Sequence, residues 1–190
     1  MKKIIVLKGG NSPEREVSLR SGAAVEEALK EKGFKVAGLD PKRDSLKLLL
    51  KEKPCCVFIA LHGGAGEDGT IQAFLETLKI PYTGSPPLAS ALAMNKLFAK
   101  KIFLYHKLPT PEFYSVKEDN TIPSLPFPYP VVVKPANLGS TLGVSIVERK
   151  KDLAGAIKMA RGFGSPIFIE KYIEGKEVAV SILGNRNPVI

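Results

Sequence analysis

Short apolar runs alternate with stretches of helical periodicity through the first 85 residues, and this alternation restricts the fold more than any other feature. The runs are almost continuously apolar, as in strands that are buried on both faces of a sheet. Such strands alternating with helices predict a parallel, doubly wound sheet and an α/β fold. The predicted strands are Lys3–Leu7, Phe34–Leu39 and Cys55–Leu61, and the predicted helices cover about Glu14–Lys32, Ser45–Lys51 and Thr70–Leu78.

Two glycine-bearing loops follow the first and third predicted strands. Ligands of parallel sheets bind beyond the carboxyl ends of the strands, which is where both loops fall. The loop Gly9–Glu14 lacks the GxGxxG spacing of dinucleotide-binding domains, which argues against an NAD(P) oxidoreductase. The loop His62–Gly69 has four glycines, and its acids Glu67 and Asp68 suit a helix N-terminus. That preference does not explain His62 or the density of glycine.

Two β-branched runs, Val131–Val133 and Val144–Val147, enclose a loop rich in glycine and hydroxyl groups and predict a β-hairpin. Lys134 ends the first run. Its ammonium, the loop hydroxyls and the backbone N–H groups could together hold a polyphosphate, although an ordinary hairpin with a solvated lysine explains this stretch alone equally well. The motif is not a Walker A loop, which ends in Gly-Lys-Ser/Thr and opens a helix. The loop residues are Gly139, Ser140, Thr141 and Gly143.

The organisation of the chain changes after Gly84-Ser85-Pro86-Pro87. Two acids, Glu170 and Glu177, flank a turn between the last predicted strands. Salt bridges to surface lysines explain them most simply, and acceptance of ribose hydroxyls is the more specific hypothesis. The predicted elements here are a helix at about Leu88–His106 that carries Met94-Asn95-Lys96, the hairpin, a helix at Lys151–Ala160, and strands at Pro166–Glu170 and Glu177–Leu183.

Composition narrows the function classes. A net charge of +9 is compatible with nucleic-acid binding. The lysines alternate with glutamates, however, and the sequence has no arginine cluster, so a nucleic-acid-binding module is a remote alternative. No apolar run approaches the roughly 20 residues of a membrane span, and the N-terminus does not resemble a signal peptide, so we expect a cytoplasmic protein without a membrane partner. Adjacent Cys55 and Cys56 would form a strained disulfide and are expected to be reduced.

Six stretches of the chain, in this order, closely resemble the D-alanine–D-alanine ligases, which are ATP-grasp enzymes of peptidoglycan synthesis. Each stretch alone is a weak match, whereas six in the order of the family are highly specific. They span nearly the whole chain: GGNSPEREVSLRSG (9–22), LHGGAGEDGTIQAFLE (61–76), IPYTGS (80–85), SALAMNKLFAKK (90–101), VVVKPANLGSTLGVS (131–145) and IEKYIEGKEVAV (169–180).

The resemblance implies a division into domains. Residues 1–85 would form a Rossmann-like substrate domain, residues 86–180 an α+β ATP-grasp domain that binds nucleotide, and residues 181–190 the start of a C-terminal ATP-grasp domain. The family carries its magnesium ligands in the part that would follow Ile190. We therefore expect no metal ligand within these 190 residues, and no ligase activity from them alone.

The resemblance also implies roles for individual residues. Glu14 would meet the amino group of the first D-alanine and join a catalytic hydrogen-bond network with Ser140, while His62 would line the dipeptide site. The residues implied for ATP are Lys96 and Lys134 at the phosphates, Gly139, Ser140 and Thr141 in a flap over them, Glu170, Lys171 and Ile173 along the adenine, and Glu177 at the ribose.

The implied reaction joins two D-alanines through an acyl phosphate, with ATP and Mg²⁺ (or Mn²⁺), in a homodimeric enzyme. A second substrate other than D-alanine, such as D-lactate or D-serine, or another carboxylate–amine ligation, stays open as an alternative. Three positions depart from common family patterns. Asn95 stands where Asp is common in Met-Asp-Lys, Thr141 replaces a common serine, and Leu138 stands where some relatives carry Glu.

Overall fold

The computed structural model describes residues 3–117, 123–139, 141–164, 166–184 and 189. They form a three-stranded parallel sheet and a four-stranded antiparallel sheet, which confirms the predicted α/β class. Each sheet has its own apolar core. Within these ranges, no helix is long and apolar enough to cross a membrane. The division at residue 85 stays a prediction.

The first sheet is parallel and has the strand order β2-β1-β3. The chain passes from β1 to β2 through α1, then crosses back over β1 through α2. Because such crossovers are right-handed, the two helices cover opposite faces, which gives the predicted doubly wound arrangement. A single parallel bridge from Val57 to Tyr82 extends the sheet. The elements are β1 (Lys3–Leu7), α1 (Arg15–Glu31), β2 (Lys35–Leu39), α2 (Leu48–Glu52), β3 (Cys56–Ile59) and α3 (Thr70–Thr77).

Helix α1 lies close to the sheet because its buried residues are small. Ser18 and Gly22 are the residues that α1 buries, one turn apart on the same face. A methyl group built on Gly22 would lie 2.5 Å from Cβ of Lys8, so no larger residue fits there. The Ser18 hydroxyl accepts from the N–H of Gly9 at 2.8 Å and donates to the carbonyl of Ala60 at 2.6 Å. The helix thereby fixes the backbone at the ends of two strands.

The single long helix predicted at Leu88–His106 is wrong, because the structure has two helices that meet at Asn95. These are α4 (Pro87–Met94) and α5 (Lys96–Tyr105). Asn95 has extended backbone angles, φ −87° and ψ 98°, and its side chain accepts from the N–H of Phe98 at 3.1 Å. An asparagine side chain at an N-cap satisfies a backbone donor that the first helical turn leaves unpaired. The residue therefore starts a new helix, and Lys96 is its first residue.

The second sheet is antiparallel, with the order β4-β7-β5-β6, and it confirms the predicted hairpin. Val131 pairs with Val147, and Val133 with Ser145. One face of the sheet packs on α6 around Leu153 and Ile157. The elements are β4 (Phe113–Ser115), β5 (Val131–Pro135), β6 (Ser145–Val147), α6 (Leu153–Arg161) and β7 (Ile167–Lys171).

Two further elements differ from the sequence-based expectation. The three-residue strand β4 was not predicted, since three residues are too few to show an alternation. The strand predicted at Glu177–Leu183 is not formed; Leu183 makes an isolated bridge with Val189. Val178 and Val180 are exposed, and among the residues that the structure describes no neighbouring strand pairs with this segment. β-Branched residues favour a strand only where a partner accepts its hydrogen bonds.

Candidate functional site

The two faces of the antiparallel sheet differ in chemistry because side chains alternate along each strand. On one face, Val131, Val133 and Ile169 pack into the apolar core with α6. On the other face, Lys134 of β5 stands opposite Phe168 of β7, and Glu170 follows two residues later. Helix α5 contributes Lys100, whose Nζ lies 2.9 Å from the Glu170 carboxylate on this second face. The polar face of the sheet and side chains of α5 therefore form a charged site.

Glu170 is the buried carboxylate of this site, with 8% of the residue exposed. Its Oε1 forms an ion pair with Lys134, and its Oε2 lies 2.9 Å from Nζ of Lys100 on α5. The lysine partners are themselves buried or half-buried, so the interpretation of Glu170 as a salt partner for surface lysines is wrong. Glu170 of β7 is thereby linked to β5 through Lys134 and to α5 through Lys100.

Lys96 lies at the N-terminus of α5, beside the end of β5. Its N–H donates to the carbonyl of Ala136 at 2.9 Å, and its Nζ donates to the carbonyl of Leu138. Burial lowers the pKa of Lys96, and the positive charge of nearby Lys134 lowers it further, while Glu170 opposes the shift. Lys96 and Lys134 are thus close enough to repel each other. Two converging ammonium groups on a partly buried surface attract a polyanion.

The predicted flap begins where β5 ends. Gly139 is half-buried and Thr141 is exposed. Ser140 lies outside the described residues, so its predicted network with Glu14 stays a prediction. Gly143 has φ +71°, which favours glycine, and a methyl group there would lie 2.7 Å from the ring of Phe163. The turn between β5 and β6 therefore requires glycine at this position.

Glu14 connects the flap to the parallel sheet. A methyl group built on Gly139 would lie 3.4 Å from Oε2 of Glu14, and one on Gly63 would lie 2.8 Å from the same atom. The carboxylate thus lies between the flap and the second glycine loop. Ser12 supports this position: its hydroxyl accepts from the N–H of Glu14 at 3.2 Å and donates to the carbonyl of His62. The structure therefore places Glu14 near Gly139 and the His62 loop, and their implied roles stay predictions.

The side chain of His62 lies on the α1 side of the loop. Its Nε2 is 3.2 Å from the hydroxyl of Ser21, and its Nδ1 is 3.9 Å from Oε1 of Glu67. His62 borders two cavities, of about 690 Å³ and about 340 Å³. The larger lies beside α4, at Ser90 and Met94, and the smaller lies between the two glycine loops. The two cavities share His62, Leu61 and Gly66 among the residues that line them.

Asp40, at the end of β2, is a buried carboxylate that the sequence interpretation missed. It accepts from both terminal guanidinium nitrogens of Arg15, with Nη1 at 3.0 Å, and from the N–H groups of Gly10 and Lys42 at 3.0 Å each. The hydrogen bonds from Arg15 hold the pKa of Asp40 well below its usual range. The sequence feature that could have identified Asp40 is its position directly after a predicted strand, where parallel strands place ligand-binding residues.

Lys100 is the second buried charged residue that was missed. It follows Lys96 by four residues on α5, so both lie on the same face of the helix. That spacing was visible in the sequence. Lysines on helices are usually solvated, however, and only the packing of α5 on the sheet shows that this one is buried.

The remaining predicted residues lie farther along the chain from this buried cluster. Lys171 donates its N–H to the carbonyl of Glu112 at 2.9 Å, and its Nζ is 3.9 Å from the Glu112 carboxylate. Ile173 is 60% exposed, and Glu177 is also exposed. The structure does not bring Ile173 and Glu177 into the cluster around Glu170, and their predicted roles beside adenine and ribose stay predictions.

Comparison with known proteins identifies relatives of this chain. The model of the D-ala D-ala ligase N-terminus matches residues 41–85, and that of the D-ala D-ala ligase C-terminus matches residues 107–190. The D-alanine–D-alanine ligase of Geotalea uraniireducens is 48% identical over 187 residues, which are 97% of this chain and 60% of that protein. The chain therefore spans about 60% of the length of this relative.

Two solved structures are similar to the chain. The crystal structure of the D-alanine–D-alanine ligase from Bacillus anthracis complexed with ATP has a TM-score of 0.78 and 34% identity, covering 92% of this chain and 60% of that one. The crystal structure of VanG D-Ala:D-Ser ligase from Enterococcus faecalis has a TM-score of 0.82 and 29% identity, covering 99% of this chain and 67% of that one. Both similarities extend across the two sheets.

Proposed function

The chain belongs to the D-alanine–D-alanine ligase family, and on that premise we propose that its protein joins two D-alanines with ATP for peptidoglycan synthesis. The observation that carries the proposal is the cluster of Lys96 and Lys134 against Glu170, beside the flap. Convergent ammonium groups and a glycine-rich backbone suit the phosphates of a nucleotide. The relative that was crystallised with ATP supports the same ligand.

ATP solves a chemical problem of this reaction. A carboxylate resists attack by an amine because it is anionic and has a poor leaving group. Transfer of the γ-phosphoryl group to the carboxylate of the first D-alanine gives an acyl phosphate and ADP. The amine of the second D-alanine then attacks the acyl carbon, loses a proton and expels inorganic phosphate. In each step one bond forms as another breaks, first at the γ-phosphorus and then at the acyl carbon. The protein therefore needs mainly to position the reacting groups and to stabilise charge.

The chain's residues meet part of that demand. We assign Lys96 and Lys134 to the phosphate oxygens, where their charge offsets the charge that develops during transfer. We assign Glu14 to the amino group of the first D-alanine, and the position of its carboxylate between the flap and the second glycine loop supports that assignment. Closure of the flap over the phosphates would exclude water, which would otherwise hydrolyse the acyl phosphate.

Mg²⁺ or Mn²⁺ would neutralise phosphate charge when bound. No three acids, histidines or cysteines come together as metal ligands would within residues 3–117, 123–139, 141–164, 166–184 and 189. We assign no step to a metal ligand of this chain.

The direct test is a product assay. Full-length protein incubated with ATP and D-alanine should release ADP and form D-alanyl-D-alanine in equal amounts, measured by a coupled ADP assay and by mass spectrometry. Omission of either substrate is the control. ADP release without dipeptide would exclude the ligase activity, whereas dipeptide formation that is independent of ATP would exclude the acyl-phosphate route.

A second candidate is D-Ala:D-Ser ligation, because the chain is also similar to VanG D-Ala:D-Ser ligase, with a TM-score of 0.82 and 29% identity. Competition decides between them. D-Alanine, D-serine and D-lactate offered together should give mainly D-alanyl-D-alanine if the first proposal holds. A mainly D-alanyl-D-serine product would establish the second candidate, and a depsipeptide would reject both.

Cellular location and assembly are further predictions. We propose a cytoplasmic protein, since the free thiols of Cys55 and Cys56 suit a reducing compartment. We also propose a homodimer from the family relationship alone. Light scattering of the full-length protein would measure its mass, and a monomer at assay concentration would reject the homodimer.

A further inference from the structure

Lys100 is a buried cation whose contacts are all within the protein. Only 6% of the residue is exposed. Its Nζ lies 2.9 Å from Oε2 of Glu170, 2.8 Å from the hydroxyl of Thr110 and 3.0 Å from the carbonyl of Pro111. It also lies 5.1 Å from the centre of the Phe113 ring, within cation–π range. An ammonium has three donors, and these three acceptors use them all. Lys100 therefore acts through Glu170 and not by reaching a ligand.

Glu170 is shared between this lysine and the proposed phosphate lysine. Lys134 pairs with Oε1 and Lys100 with Oε2 of the same carboxylate. Lys96 also interacts electrostatically with Glu170, so the three lysines and the one carboxylate carry a net positive charge of two. Without Lys100 the net charge of the group would fall to one, and Lys134 would be the remaining ion-pair partner of Glu170 in this group. A buried carboxylate that loses a partner repels nearby anions strongly, because little solvent screens it.

We infer that Lys100 is a positioning residue that compensates the charge of Glu170 and so keeps the charge of Lys134 available for a polyphosphate. This inference rests on the proposed function and adds a determinant of phosphate recognition to it. The contribution depends on the charge of the ligand. It strengthens binding of ATP, which carries a triphosphate, and leaves binding of adenosine, which carries no phosphate, nearly unchanged.

Calorimetric titration of the full-length protein with ATP and with adenosine tests the inference. Lys100→Met should raise the Kd for ATP about tenfold, which corresponds to a modest change in binding free energy, and should alter the Kd for adenosine less than about twofold. Lys101→Met is the matched control, because Lys101 is the next lysine on α5 and is exposed. This control should leave both affinities unchanged. Equal losses for ATP and adenosine would show a merely structural role and overturn the inference.

A second variant separates charge compensation from damage to the fold. Lys100→Arg keeps a positive charge beside Glu170, so this variant should fold, as its melting temperature will show, and should bind ATP to within about threefold of wild type. A folded Lys100→Arg that binds ATP as weakly as Lys100→Met overturns the inference. If Lys100→Met binds ATP as tightly as wild type, the inference is overturned but the proposed function is not. A wild-type protein that does not bind ATP overturns the proposed function as well.

Discussion

The two sheets each hold a buried carboxylate, and the two carboxylates are held differently. Asp40 in the parallel region and Glu170 in the antiparallel region are both 8% exposed. Asp40 accepts from the guanidinium fork of Arg15 and from backbone N–H groups, including that of Gly10. Glu170 is shared by two lysine ammonium groups. A planar fork with backbone donors fixes one geometry, whereas an ammonium is a point charge on a flexible chain.

This difference indicates that the two carboxylates have different roles. Asp40 fixes the glycine loop that leads to Glu14, because it accepts from Gly10 in that loop and from Arg15 in the helix that follows. Glu170 sets the charge and position of lysines that face a proposed ligand. We therefore expect loss of Asp40 to reduce mainly stability and loss of a Glu170 partner to reduce mainly nucleotide affinity. Four substitutions test this contrast.

Lys134→Ala should have the largest effect. Removal of one preorganised donor to a developing negative charge costs an enzyme about 100-fold or more in kcat. We expect a loss of that order in kcat/KM for ATP, measured by ADP release in the full-length protein. The melting temperature should change little, since Lys100 still pairs with Glu170. The exposed Lys151→Ala is the control, and near-normal kinetics of Lys134→Ala would reject its assignment to the phosphates.

Asp40→Asn should reduce the free energy of unfolding by about 2 kcal/mol, because it weakens hydrogen bonds to a charged, buried acceptor. Urea titration measures this loss. The KM for ATP should change little, in contrast to Lys134→Ala. The control is Asp152→Asn, which removes an exposed ion pair with Arg149. A nucleotide-affinity defect without a loss of stability would contradict the division of roles.

The pH dependence of the same variant gives a further check. The pKa of Asp40 is lowered in the folded protein, so its stabilising contribution is present above the pKa of the unfolded state, about 3.9. The contribution is lost as the pH falls towards the folded-state pKa. The stability difference between wild type and Asp40→Asn should therefore be full at pH 7 and shrink below about pH 4. A difference that stays constant across this range would contradict the assignment.

Asn95→Ala should have an intermediate effect, because Asn95 caps the helix that carries Lys96 and Lys100. Loss of an N-cap side chain costs about 1 kcal/mol. Asn95→Asp, which restores the residue common in the family, should keep the stability, since a carboxylate also accepts at an N-cap and suits the helix dipole. Thermal unfolding measures both variants. Equal destabilisation by Ala and Asp would show that the cap hydrogen bond is not what Asn95 contributes.

Lys171→Met should have the smallest effect. Its ion pair with Glu112 is long, 3.9 Å, and exposed. Exposed ion pairs contribute no more than about 1 kcal/mol. The implied role of Lys171 beside adenine works largely through backbone atoms, so the Kd for ATP should also change less than about twofold. A large loss of ATP affinity would show that the side chain of Lys171, one residue after Glu170, takes part in binding.

Much of the fold was predictable because its signals are local. Apolar periodicity located all three strands of the parallel sheet, and the β-branched runs around Lys134 located the hairpin. The predictions that failed depended on partners. The strand at Glu177–Leu183 needed a neighbour to pair with, and the helix break needed the cap at Asn95. Asn95 alone could have signalled that break, since asparagine is a preferred cap residue.

The sequence by itself determined the family, the alternation of strands and helices, and the presence of Glu14, Lys96 and Lys134 in recognisable motifs. Only the tertiary structure decided which charges meet. Lys100 and Glu170 are far apart in the chain, and their ion pair depends on the face that β7 turns towards α5. Periodicity reports which face of an element is apolar. It does not report which buried cation lies within 3 Å of a carboxylate, because strand register and helix docking set that distance.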